Sequence, residues 1–236
     1  MLQPDLLSAN VDFHDDLVRN IPSIRKSQNL FDDLSPHAAD WDIAISAENA
    51  ARVPSDHPII TRPFDYGGVV SYSFNSSNWR TTRFSDGSLY GVWYGSLQLE
   101  TTVYETACHW TQFVQDSFAA EDREIVTERR AFDVRCDSLL IDLRGKQSKY
   151  PDIVNRASYA FTQQLGRYIH DQGQNGLLCP SARCAGDNAA IFRAARLSNV
   201  RDRTYLTYRL NLARDILVVE RVPGQRWMRI KPSTLK

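Results

Sequence analysis

Over 11–50 the chain is acidic, and Phe13, Leu17, Ile21 and Ile24 recur at a spacing that puts them on one helical face; Pro36, Pro54 and Pro58 then punctuate the run. This predicts a helical extension over 1–58, packed on a main domain of 59–236. After Pro63 the texture changes to short runs rich in aromatic and β-branched residues, at 69–74 and 89–94, which read as strands. Helical spacing returns over 101–118. Val103, Ala107, Trp110 and Val114 form one stripe, and Glu105, His109, Gln112 and Asp116 another, so one face packs and the other looks outward. Strand-like segments follow at 125–134 and 139–143, then an amphipathic helix over 153–171 stopped by Gly173 and Gly176. Three more strands are read at 205–210, 216–219 and 227–230. Strands outnumber helices and do not alternate with them regularly, which predicts an α+β domain and not a doubly wound sheet.

Composition narrows the function classes. At 42% apolar and 24% charged, the 236-residue chain falls among folded globular proteins. Its formal net charge is zero and its lysines and arginines are scattered, so the footprint that neutralises many phosphates is missing and nucleic acid is not the expected partner. The first ten residues lack a basic stretch before an apolar core, and no apolar run reaches the roughly 20 residues of a bilayer span, which predicts a cytoplasmic protein without a membrane segment. Cys108, Cys136, Cys179 and Cys184 lack Cys-x-x-Cys spacing and are expected as reduced, mostly buried thiols. Neither Gly-x-Gly-x-x-Gly nor Gly-x-x-x-x-Gly-Lys-Ser/Thr occurs, nor a Gly-x-Ser-x-Gly elbow. His14, His37, His57, His109 and His170 show no zinc-site spacing, so no metal and no resident cofactor are expected.

What remains is a set of short motifs in order: Arg83-Phe84-Ser85, then Val92-Trp93-Tyr94-Gly95, then Thr102-Val103-Tyr104-Glu105, and later Gly176-Leu177-Leu178-Cys179-Pro180-Ser181-Ala182-Arg183 followed by Asn188 and Phe192. Over roughly 60–192 this set resembles the RES domain, a family found mainly as the toxin of bacterial toxin-antitoxin pairs with Xre-type antitoxins. Matched position by position, the resemblance implies Arg83, Tyr94, Glu105 and Ser181 as the catalytic set, with Arg62 as an earlier arginine. Ser85 stands where the family usually has asparagine, Val103 where alanine is common, and Pro63 where an aromatic often follows the arginine.

The resemblance also implies an ADP-ribosyltransferase-like mixed β-sheet core with flanking helices, depletion of NAD⁺ by hydrolysis or phosphorolysis, and a homodimer blocked by its antitoxin. Protein ADP-ribosylation and an inactive binding module are the alternatives. Cleaving the nicotinamide–ribose bond passes through an oxocarbenium-like ribose, so a carboxylate beside it stabilises the developing charge; Glu105 is the candidate. Guanidinium forks match phosphate oxygens, which suits Arg83 and Arg62 to the pyrophosphate. Tyr94 offers an aromatic face to nicotinamide, and Ser181 a hydroxyl to the amide or ribose. Asn188 and Arg183 are secondary members of the pocket.

Taken singly, each residue has a plainer reading. Thr102-x-x-Glu105 is a capping-box pattern. Tyr94 suits a core strand, Arg83 a surface ion pair and Ser181 a turn. His109 reads as decoration of the outer helix face, and the arginines of 193–203 as a solvated face.

Overall fold

Val11, Phe13, Leu17 and Ile21 are all odd-numbered, so the spacing of a helical stripe is equally one face of a strand, on which alternate residues share a side. The strand is what forms. In the computed structural model, which describes residues 4–23, 43, 66–117 and 122–235, β1 (Asn10–Pro22) pairs antiparallel with the long β3 (Ile125–Asp142), from Asn10 opposite Ile141 to Pro22 opposite Arg129. The expected helical extension is therefore corrected for this stretch: β3 pairs with it over 13 positions and supplies the ladder bonds that replace those a lone helix would have had to make for itself. Apart from exposed Ile43, the remainder of the extension after Ser23 lies outside the described residues.

Two other expected strands differ. The run 69–74 is a short helix, α1 (Tyr66–Ser71), followed by a tight turn at Tyr72–Phe74, because Val69 reaches the core by placing its carbonyl on Trp93 Nε1 at 3.0 Å and has no strand to pair with. The run 89–94 becomes a strand only at β2 (Trp93–Ser96), after a loop that buries Tyr90 and Val92. The segments 125–134 and 139–143 fuse into β3. The helix over 153–171 shortens to α3 (Ala160–Asp171), preceded by a 3-10 turn at Pro151–Val154 and followed by Gly173, whose φ of 72° lets the chain turn away. The helix over 101–118 is α2 (Leu99–Ser117).

The remaining strands are β4 (Gly176–Pro180), β5 (Asp187–Ile191), β6 (Leu197–Asn211), β7 (Ile216–Val222) and β8 (Gln225–Ile230). All belong to one mixed sheet in an α+β arrangement, as expected, with β3–β4 as its parallel pair. β1 bonds both β2 and β3, so the pairings β1–β2–β5–β4–β3 close on themselves, and β6, β7 and β8 continue outward from β3. The ring closes where Val18 of β1 meets Ser96 of β2.

Alternation along the ring strands divides the side chains. Phe13, Leu17, Trp93, Phe132, Val134, Leu178 and Ile191 pack together on one side. On the other, α2 lays Leu99, Val103, Ala107 and Val114 against Val18 of β1, Tyr208 of β6 and Leu217 of β7. Each such leucine or valine, at 1% exposure or less, contributes about 1.5–3 kcal/mol. Leu165 and Ile169 of α3 pack on Leu177 of β4 together with Phe84 and Phe192. Between the α2 and α3 packing regions the sheet face is left partly uncovered.

Candidate active site

That gap is a cavity of about 250 Å³, and the strands present their cavity-facing residues by alternation. Trp93 is buried in the ring core while Tyr94 and Ser96 line the cavity; Asn188 stands opposite Ser96 across the β2–β5 ladder. From α2 come Thr102, Glu105, Thr106 and His109, at helical spacing along one face.

Glu105 is held at one oxygen. Its Oε1 accepts from Ser181 Oγ at 2.6 Å and from Asn188 Nδ2 at 2.7 Å, and Asn188 Oδ1 in turn accepts from Ser96 Oγ at 2.5 Å. No donor among the described residues reaches Oε2. The capping-box reading is thereby overturned: the helix begins at Leu99, Thr102 Oγ1 donates back to the Leu99 carbonyl, and Glu105 sits too deep in the helix to cap its start.

Ser181 is 7% exposed and lies behind the carboxylate. Its Oγ also accepts from the backbone N–H groups of Arg183 (3.0 Å) and Cys184 (3.3 Å), so the tight loop after β4 fixes the hydroxyl. Gly186 closes that loop, since a side chain there would overlap Thr101 of α2.

Tyr94 offers the cavity its ring only. Its hydroxyl donates to Thr82 Oγ1 at 2.9 Å and accepts from Phe84 N–H at 3.0 Å, and burial pushes its pKa far above the ordinary tyrosine value. Arg83 lies between those two anchor points. Both of its terminal nitrogens donate to the Pro180 carbonyl at 3.1 Å, and one also reaches the Ile153 carbonyl, while Nε is buried without a partner. Ser85, where the family has asparagine, bonds the Tyr90 carbonyl at 2.8 Å and accepts from Gly87 N–H, closing the same loop. Arg62 and Pro63 lie outside the described residues.

Three features escaped the sequence reading. Asn20 of β1 lines the cavity, donating to Tyr208 Oη at 3.0 Å and accepting from Arg129 Nε at 2.8 Å. Arg129 is 6% exposed, its guanidinium 5.5 Å from the Tyr208 ring centre, and burial lowers its pKa. Arg19 bonds the Tyr94 carbonyl at 2.6 Å, and burial, aided by the charge of Arg129, pushes its pKa down to about 10. A strand assignment over 10–22 would have exposed Arg19 and Asn20 as polar groups carried into a sheet, beside Arg129 on β3. His109 does not decorate the outer face: it stands on the cavity rim one turn beyond Glu105. Desolvation lowers its pKa; Glu105 opposes the shift, while Arg183 and Arg129 reinforce it.

The cysteines are free. Cys136 and Cys179 are buried and Cys108 and Cys184 partly so, with burial pushing the Cys179 thiol up to about 11 and Cys136 to about 12. Among the described residues, no group of three or more His, Cys, Asp or Glu gathers to hold a metal ion, and no helix is long and apolar enough to cross a membrane.

The fold thus defines an α+β domain with an aromatic-walled cavity in which one carboxylate, anchored at a single oxygen, stands among cations. The RES domain model matches residues 49–211, well over half of the chain, and the chain belongs to that family. β1 falls before the matched segment. Among solved structures, the chain aligns with one titled "Crystal structure of the M.tuberculosis MbcT-MbcA toxin-antitoxin complex" at a TM-score of 0.45 and 11% identity, covering 89% of this chain and 94% of that one. A search of curated proteins returned no match.

Proposed function

We propose that this chain is the toxin of a toxin-antitoxin pair and that it consumes NAD⁺ by breaking the bond between nicotinamide and ribose. The observation that carries the proposal is Glu105, fixed through Oε1 by Ser181 and Asn188 and, among the described residues, without a donor at Oε2. A carboxylate so oriented has one oxygen committed to position and one free to face a cationic ribose. The Tyr94 ring on the same cavity suits a flat, electron-poor nicotinamide, and the cations around it suit the pyrophosphate. Nicotinamide departs from a cationic centre as a neutral molecule, so no acid is required at the leaving group; the acceptor is water or phosphate.

In this reading the protein acts in the cytoplasm, a second copy completes a homodimer, and an Xre-type antitoxin restrains it. The test is incubation of the pure protein with NAD⁺, with and without phosphate, following free nicotinamide by chromatography. Release that depends on the enzyme supports the proposal; none under either condition sinks it. Label from NAD⁺ appearing on a protein instead would move the activity to ADP-ribosyl transfer.

A further inference from the structure

A cavity of about 250 Å³ lies below the usual range of ligand pockets, about 300–1,000 Å³, and is short for a whole dinucleotide. A second hollow of about 380 Å³ adjoins it, and the two share a wall of His109, Tyr159 and Arg183. The outer hollow is floored by Gln112 and Gln115 of α2, three residues apart and so on one helix face.

On the wall, the guanidinium of Arg183 is held by neutral groups. Arg183 Nη1 donates to the Leu235 carbonyl at 2.7 Å and Nη2 to the Arg156 carbonyl at 3.4 Å, and among the described residues it pairs with no carboxylate. Arg156 beside it donates to the carbonyls of Ala182 at 2.6 Å and Thr234 at 3.1 Å. Carbonyl dipoles orient a guanidinium without neutralising it, and the planar fork matches phosphate oxygens. Glutamine amides both donate and accept, as recognition of a purine edge requires; Gln112 Nε2 already donates to Asp116 Oδ1 at 2.8 Å, which leaves its amide oxygen as an acceptor.

We propose that the outer hollow is a binding site for the nucleoside diphosphate part of the substrate, with Arg183 at the junction gripping the pyrophosphate and the base lodged beside Gln112 and Gln115. This deepens the NAD⁺ reading and depends on it only for which half enters the inner cavity. The C-terminal 3-10 turn (Pro232–Leu235) then borders the ligand: Pro232 and Leu235 line the outer hollow, and Leu235 and Thr234 hold its arginines.

The probe is ADP alone, titrated calorimetrically into wild type, Arg183→Gln, Arg183→Lys and Ala157→Trp. Ala157 is exposed on the wall of the outer hollow, so a tryptophan there fills the space without disturbing the core. ADP should bind wild type and weaken roughly ten- to hundredfold in Arg183→Gln and in Ala157→Trp, the range for a lost charge-assisted fork, with Arg183→Lys between. With NAD⁺ the same variants should raise KM while retaining most of kcat. No ADP binding to wild type at millimolar concentration, or equal binding by all four proteins, overturns the proposal. ADP binding without nicotinamide release would remove the reaction and leave the site; nicotinamide release without ADP binding would do the reverse.

Discussion

Replacing Glu105 with glutamine removes one charge and almost no volume, and the structure separates what this does to folding from what it does to chemistry. Oε1 accepts two hydrogen bonds, at 2.6 and 2.7 Å, and a glutamine carbonyl can accept both. Bonds to an ionised acceptor are worth about 1.5–3 kcal/mol and neutral ones about 0.5–1.5, so lost charge assistance costs about 2–3 kcal/mol for the pair. The half-buried carboxylate no longer has to be desolvated, which offsets that loss. The net change in stability should stay within about 1 kcal/mol, or about 2–4 °C in Tm for a chain of this size. Catalysis has no such offset. In the proposed reaction the charge at Oε2 faces the oxocarbenium only in the transition state, and one positioned electrostatic group of this kind is worth about 10²–10³ in kcat, about 2.7–4 kcal/mol. Nicotinamide release by chromatography and thermal melts on the same preparations check both halves. Glu105→Ala is the contrast: it strips the acceptor from buried Ser181 and Asn188, at about 1–3 kcal/mol each, and should melt well below the glutamine variant. Wild-type release by Glu105→Gln would refute the assigned role, and a melt as low as that of the alanine variant would refute the separation.

Tyr94→Phe keeps the ring and leaves Phe84 N–H and Thr82 Oγ1 without their shared partner, so urea unfolding should lose about 1–3 kcal/mol, and kcat should fall with KM for nicotinamide riboside little changed. Gly166 lies where a Cβ would overlap the Phe84 backbone, so Gly166→Ala should cost about 1–3 kcal/mol of overpacking and reduce activity through the Arg83 loop; an unaltered melt would show that α3 gives way freely. His109 is lowered below its ordinary 6.5 chiefly by desolvation, so its neutral form is favoured in the fold. That contribution is complete above pH 6.5 and is lost as pH falls from 6.5 through the folded value. Urea midpoints of wild type minus His109→Gln should therefore decline from pH 7.5 to 5, and a flat difference would contradict the desolvation of the imidazole.

The fold was legible wherever one periodicity had no rival. Stripes at 103, 107, 110 and 114 occur in no strand, so α2 was read within two residues at its start, and the terminal strands alternate without a helical alternative. The failure over 10–22 has a definite cause. Residues four apart satisfy both a helix and a strand, and what decides is a partner more than a hundred positions away in β3. With β1 misread, Asn20, Arg19 and Arg129 could not be recognised as groups carried into one sheet. Motif order located Glu105, Ser181, Tyr94 and Arg83 because their neighbours are unusual in combination; their division of labour is a matter of distances that no spacing encodes.

Those distances change what the set does. The Tyr94 hydroxyl fixes the backbone of Phe84 and the side chain of Thr82, on either side of Arg83. Arg83 fixes the carbonyl of Pro180, the residue before Ser181. Ser181, pinned by its own loop, fixes Glu105. The four residues are thus linked by hydrogen bonds and adjoining peptide units into one chain that ends on a single oxygen, and in the proposed reaction only Glu105 needs to touch the bond that breaks. Arg83 and Arg183 both turn their terminal nitrogens to carbonyls, but Arg83 lines the inner cavity alone, whereas Arg183 stands on the wall between the two hollows, where a pyrophosphate joining two halves of a dinucleotide would pass. A mutation at Tyr94 or Arg83 should accordingly act on rate through the placement of Glu105, and one at Arg183 through affinity, a split that kcat and KM measured on the same variants will resolve.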